Sequence, residues 1–232
     1  MTFKFSATWK VVAMLLLLAS CSKSEKETEE DEINIETKVM KETGTYQNGS
    51  IFHIDAQIPI LSGLDLGLEN LIKEWKVYNE TERLGEKIPE EYKHEYFYHS
   101  GFEIFKNEDL QIISILYSQY TIERGAANGV TTYSPINLKG KKIIEISDII
   151  SKDQLDSLIQ VLKEQVKKEV KKFSNDNINH TAFENNFEEI FKKHKHYFKD
   201  NNVIFFYDPL TIGDHASGKI EFTFPVNRNT ES

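Results

Sequence analysis

Between residues 92 and 123 the chain holds two consecutive stretches of strand chemistry, "YKHEYFYHSGFEIFKN" and "LQIISILYSQYTIE", which meet at the turn formers of "KNED". Tyr96, Tyr98, Phe102, Ile104, Ile113, Ile115 and Tyr117 supply the aromatic and β-branched side chains that suit a pleated surface. Strands joined by so short a link pair antiparallel, because a parallel pair needs a crossover of a dozen or more residues. Fifteen Phe, ten Tyr and two Trp offer the bulk for a β-rich core. A chain of 232 residues with a single cysteine has no internal disulfide, so that core must supply the stability.

The rest of the chain extends this pattern. In "GSIFHIDAQIPI", Ile51, His53, Asp55 and Gln57 oppose Phe52, Ile54, Ala56 and Ile58, a half-buried strand. A second strand, "INIETKV", precedes it, and "TGTYQNGS" is the connecting turn. Residues 63–80 change period: Leu64, Leu68, Leu71, Ile72 and Trp75 make a helical face, with Ser62 as its expected cap. A further strand is expected at 130–138. "EISDIISKDQLDSLIQVLKEQVKKEVKKF" is the clearest helix, with Ser151 and Gln154 as a capping box and Leu155, Leu158, Ile159, Leu162, Val166 and Val170 on one face. After "SNDNIN", Phe183, Phe187, Ile190 and Phe191 fall at helical spacing, and "NNVIFFYD" and "GKIEFTFP" read as two closing strands. This order predicts an α+β fold, mainly antiparallel sheet packed against amphipathic helices.

Chemistry-bearing motifs are absent: there is no GxGxxG, P-loop, HExxH or GxSxG, so no catalytic residue or cofactor is expected, and a hydrolase with an unfamiliar site is the weakest of the functional alternatives. His94 and His99 are expected on opposite sides of their strand, and His194 and His196 near a helix end cannot share a helical face. A metal site is not expected either, since zinc wants three or four convergent ligands.

The N-terminus speaks to location. Lys4 and Lys10 flank the start of an apolar run from Val11 to Leu18, followed by Ala19, Ser20 and Cys21. This is the layout of a signal peptide over residues 1–20. "LASC" resembles the bacterial lipobox, which implies lipidation at Cys21 after cleavage; the alternative is a signal peptide that happens to contain a cysteine. "SKSEKETEEDE" cannot bury enough apolar surface to fold, so residues 21–32 read as an acidic tether. That stretch also resembles the surface-export signal of Bacteroidetes lipoproteins. Losing Lys4 and Lys10 takes the formal charge from −9 to −11. An acidic surface disfavours nucleic acid and favours basic partners.

Two further stretches, "YTIERGAANGVTTYSPINLKGKKIIEISDII" and "YFKDNNVIFFYDPLTIGDHASGKIEFTFP", resemble the C-terminal domain shared by the anti-sigma factor RsiV and the peptidoglycan deacetylase PdaC. Gly125 and Ala126 match that family's first loop; Asn137, Leu138, Gly140 and Lys141 its next turn; Asp148 and Ile149 its helix start; and Phe198, Phe205, Tyr207 and Gly218 its end. Where the family often has Gly-Gly-Ala-His, this chain has Arg124-Gly125-Ala126-Ala127, so any role of that histidine is in doubt. Residues 33–122 read as the smaller companion domain and 123–232 as the family domain.

The RsiV and PdaC resemblance implies an extracytoplasmic binding module, and the lipobox, with Ser22 in place of the aspartate of inner-membrane retention, implies an outer-membrane lipoprotein facing the periplasm or the surface and held on the membrane by its lipid. RsiV resembles a lysozyme receptor, so a basic lysozyme-like protein is the expected partner. The other candidate is peptidoglycan or another envelope polysaccharide, with exposed tyrosines and Trp75 stacking on sugars. Arg124, Gly125, Asn128, Tyr207, Asp208, Asp214 and His215, in or beside the two family loops, are the candidate contact residues.

Overall fold

Alternation along each strand decides which side chains are buried, and the run Val203–Tyr207 departs from it, being buried on both faces. The structure, a computed structural model, describes residues 33–81, 94–173 and 186–226. The expectations for the signal peptide, Cys21 and the tether fall outside those residues. So does Phe183.

A six-stranded sheet runs β1 (Ile35–Thr45), β2 (Ile51–Leu61), β3 (Glu95–Asn107), β4 (Ile112–Glu123), β5 (Val130–Lys139) and β6 (Lys142–Ile143), in that order. Only β2 and β3 pair parallel, and helix α1 (Leu68–Thr81) lies in the connection between them. A three-stranded antiparallel sheet follows: β7 (Lys195–Lys199), β8 (Asn202–Tyr207) and β9 (Ile220–Pro225). Helix α2 spans Lys152–Phe173, and a short α3 spans Phe187–Phe191. The fold is α+β and mainly antiparallel, as the sequence pattern requires. Residues 33–232 form one compact unit, and the large sheet runs without a break past residue 122.

The packing gives four layers. On one face of the large sheet, Leu68 and Ile72 of α1 meet Phe52, Ile54, Ala56, Ile58, Tyr96, Tyr98 and Tyr117. Two of the buried hydroxyls here are satisfied: Tyr98 Oη lies 3.2 Å from Tyr117 Oη and donates to Gln119 Oε1 at 3.0 Å. On the other face, Leu116 of β4 packs with Tyr197, Ile204 and Phe206 of the small sheet, flanked by Phe105 and Tyr133. Strand β8 then alternates. Ile204 and Phe206 point at the large sheet, whereas Val203, Phe205 and Tyr207 join Leu162, Val166 and Val170 of α2. Helix, six-stranded sheet, three-stranded sheet and helix thus stack in sequence, with both sheets covered over their centres.

A polar seam crosses the interface between the sheets. On the side of β7 away from β8, the Phe198 N–H donates to Ser114 Oγ at 2.9 Å, and the His196 carbonyl accepts from Asn137 Nδ2 at 3.3 Å. Ser114 Oγ in turn donates to Asn137 Oδ1 at 2.6 Å, and both residues are buried. Side chains of one sheet therefore satisfy the open edge of the other, which protects that edge from foreign pairing. Ser114→Ala removes the acceptor of a buried N–H and the donor to a buried amide. It is expected to lower unfolding stability by about 2 kcal/mol, measured by urea denaturation.

Several boundaries differ from the sequence reading. Helix α1 begins at Leu68, not near residue 63. Ser62 is not its cap: Leu64 makes an isolated bridge with Leu61, and Asp65 Oδ1 accepts from the Gly67 N–H at 2.8 Å in the turn before the helix. The helical spacing after Phe187 lasts only to Phe191, and "KHYFK" is a strand. Its lysines continue the helical charge pattern, but Tyr197 fills the interface with the large sheet and Phe198 the core beneath α2, and that burial decides the conformation. His196 consequently belongs to a strand, not to a helix end.

Candidate functional site

Packing of the small sheet leaves one end of the large sheet's outer face open. There the alternation presents His53 of β2, Phe97 of β3 and Ile122 of β4 in one register row, continued by Thr43 of β1. A hydrogen-bonded chain crosses it. Thr43 Oγ1 lies 3.1 Å from His53 Nδ1, His53 Nε2 lies 2.7 Å from Glu95 Oε1, and Arg124 Nε lies 2.6 Å from Glu95 Oε2. The His53 ring stacks on Phe97 at 4.9 Å and 14°, and the Arg124 guanidinium stands 6.0 Å over the same ring. On the opposite face of the sheet, beside α1 and Tyr96, His94 pairs with Glu123. The chain of hydroxyl, imidazole and carboxylate lies on an open sheet surface. It offers ring faces and oriented charge, the means of recognition.

The 124–129 loop between β4 and β5 forms one border of this end. Gly125 takes φ = 86°, a left-handed turn position that favours glycine. Gly129 is buried, and a Cβ there would lie 2.5 Å from the Tyr120 ring and 2.6 Å from the Thr121 carbonyl oxygen. The second loop, between β8 and β9, reaches this border: His215 Nε2 donates to the Gly129 carbonyl at 3.0 Å. Asp214 caps the following turn, accepting from Ser217 N–H at 2.8 Å and Ser217 Oγ at 2.5 Å. These two hydrogen bonds hold its carboxyl below the usual carboxylate range.

The structure thus brings Arg124, Gly125, Asn128, Asp214 and His215 to neighbouring positions. Arg124, Gly125, Asn128 and Asp214 are exposed. Tyr207 and Asp208 lie inward. Tyr207 is fully buried beneath α2 and donates to the Phe191 carbonyl at 3.0 Å, and burial pushes its phenol well above the ordinary tyrosine range. Asp208 holds the sheets together: Oδ1 accepts from the Tyr133 N–H at 3.1 Å, and Oδ2 pairs with Lys195 Nζ at 2.5 Å. Lys195 also donates to the Tyr133 carbonyl at 2.5 Å.

Sequence reasoning did not single out Thr43, His53, Glu95 or Phe97. Their juxtaposition needs the parallel β2–β3 register, in which Ile51 lies beside Glu95 and His53 beside Phe97. The alternation does place His53 on the solvent side, but nothing local names its neighbour. His94 and His99 fall on opposite sides of the strand as expected, the first stacking near Tyr96 and the second near Tyr120.

Among the described residues no group of three His, Cys, Asp or Glu side chains is placed to hold a metal ion, and no helix is long and apolar enough to cross a membrane. No curated protein sequence matches the chain. Residues 147–227, which run from the turn before α2 to the end of β9 and include the His215 loop, match the family described as "Protein of unknown function (DUF3298)".

Proposed function

We propose that this protein is a non-catalytic binding module of the cell envelope, anchored by lipid on Cys21, that captures a basic envelope-directed protein of the lysozyme kind. The observation that carries the reading is the His215–Gly129 hydrogen bond, which ties the two family loops into one border beside the open sheet face. A rigid, solvent-facing border of this kind is a suitable docking edge. Charge supports the same reading. The compact unit alone, residues 33–232, contains 31 Asp and Glu against 24 Lys and Arg, a formal −7. An acidic module speeds encounter with a cationic protein, and the shape of the site sets the specificity. The family match over residues 147–227 agrees with the resemblance to the RsiV and PdaC domain, and RsiV resembles a lysozyme receptor. On this reading the lipid and acidic tether place the module at the outer membrane, facing the periplasm or the surface.

The test is a titration of residues 33–232 with a basic c-type lysozyme at low and high salt, with another small basic protein as control. Saturable, salt-weakened binding of lysozyme alone is expected. Binding to neither protein, or equally to both, would remove the reading.

A further inference from the structure

We propose that the groove beside the C-terminal half of α1 is a binding site for a neutral pyranose oligosaccharide. It lies across the 124–129 loop from the open sheet face, has a volume of about 310 Å³, and is walled by Trp75, Tyr78, Asn79, Tyr96, Glu123 and Asn128. That volume is at the lower end of small-ligand sites.

The lining chemistry selects the ligand. Tyr78 is 57 % exposed, unusual for so large a ring, and Val130 at 53 % continues the apolar surface on the opposite wall. The Trp75 ring is held from behind by Tyr98, 5.2 Å away at 56°, so its orientation is set before any ligand arrives. Asn79 Nδ2 donates to the Trp75 carbonyl at 2.8 Å, which fixes that carboxamide and leaves Oδ1 as an acceptor. Asn128 is exposed and adds both a donor and an acceptor. Glu123 adds a carboxylate, placed by His94.

A sugar ring has C–H faces that stack on aromatic rings and hydroxyls around its rim that donate to carboxylates and amides. Other classes fit less well. Among the described residues no Lys or Arg lines the groove, which disfavours phosphates and other anions. A purely apolar ligand would leave the amides and carboxylate stripped of water without partners.

Trp9 and Trp75 are the two tryptophans of the chain, so residues 33–232, a compact unit with its own core, report from Trp75 alone. The probes are N,N′,N″-triacetylchitotriose, cellotriose and maltotriose at millimolar concentrations. At least one is expected to change Trp75 emission saturably, and Tyr78→Ala, a surface change, is expected to weaken that binding by about tenfold. Absence of a saturable change with all three sugars overturns the proposal. So does a response that persists undiminished in Tyr78→Ala. Lysozyme capture at the loop border is a separate measurement, and the two results stand independently.

Discussion

Replacing Phe206 by alanine is expected to destabilise the protein by about 3–5 kcal/mol, because it opens a cavity where the two sheets meet. Phe206 is fully buried. Its ring meets Tyr133 edge-on at 6.1 Å and Tyr197 at 5.8 Å, and the Lys219 ammonium stands 5.4 Å over it. Each of these neighbours comes from a different strand or loop, so no single side chain can collapse into the space. A loss of this size is a large fraction of the whole stability of an ordinary domain. Urea denaturation of residues 33–232 measures it, with Tyr78→Ala as the surface control. A loss below about 1 kcal/mol would mean that Phe206 does not hold the sheets together as the packing requires.

Acidification from pH 7 to pH 4.5 is expected to destabilise the fold through His196. Its imidazole lies in the small sheet among Phe198 and Phe205, and Nε2 has no hydrogen-bond partner. Burial, with the nearby His194 adding to it, pushes the pKa down from 6.5 to about 4. Burial likewise lowers His194. The unfolded chain takes up these protons near pH 6.5, whereas the folded protein does not until near pH 4. The unfolded state therefore binds more protons in that window, and stability falls as pH drops through it. The contribution of His196 amounts to roughly 3 kcal/mol by the time pH reaches its folded pKa. Urea midpoints across this range should fall in the native protein and fall by much less in His196→Leu. A flat profile above pH 5 in the native protein would contradict the assignment.

The antiparallel α+β class was readable because the evidence for it is local. The alternation of Phe52, Ile54, Ala56 and Ile58 against His53, Asp55 and Gln57 is the burial pattern of β2. The apolar face of α2 is the face that packs, through Leu162, Val166 and Val170. The hairpin before β5 was less legible: Asn128-Gly129 reads as the dipeptide that demands positive φ, but the structure has positive φ at Gly125 and packs Gly129 against the Tyr120 ring.

What the sequence left open are the relations between distant segments. The strand at 195–199 exists because the large sheet covers Tyr197 on one side and α2 covers Phe198 on the other, a tertiary demand that overrides its helix-like charges. Tyr207 and Asp208 share the family loop's end with Asp214 and His215, yet β8 turns the first two into the interior and leaves the loop outside. The row of Thr43, His53, Glu95 and Arg124 depends on a parallel register between strands more than forty positions apart, as His53 and Glu95 are. By itself the sequence determined most of the strands, the amphipathic faces and most of the turns, because their rules act over a few residues. Only the tertiary structure decided which side chains meet, because packing both faces of two sheets is a condition on the whole chain.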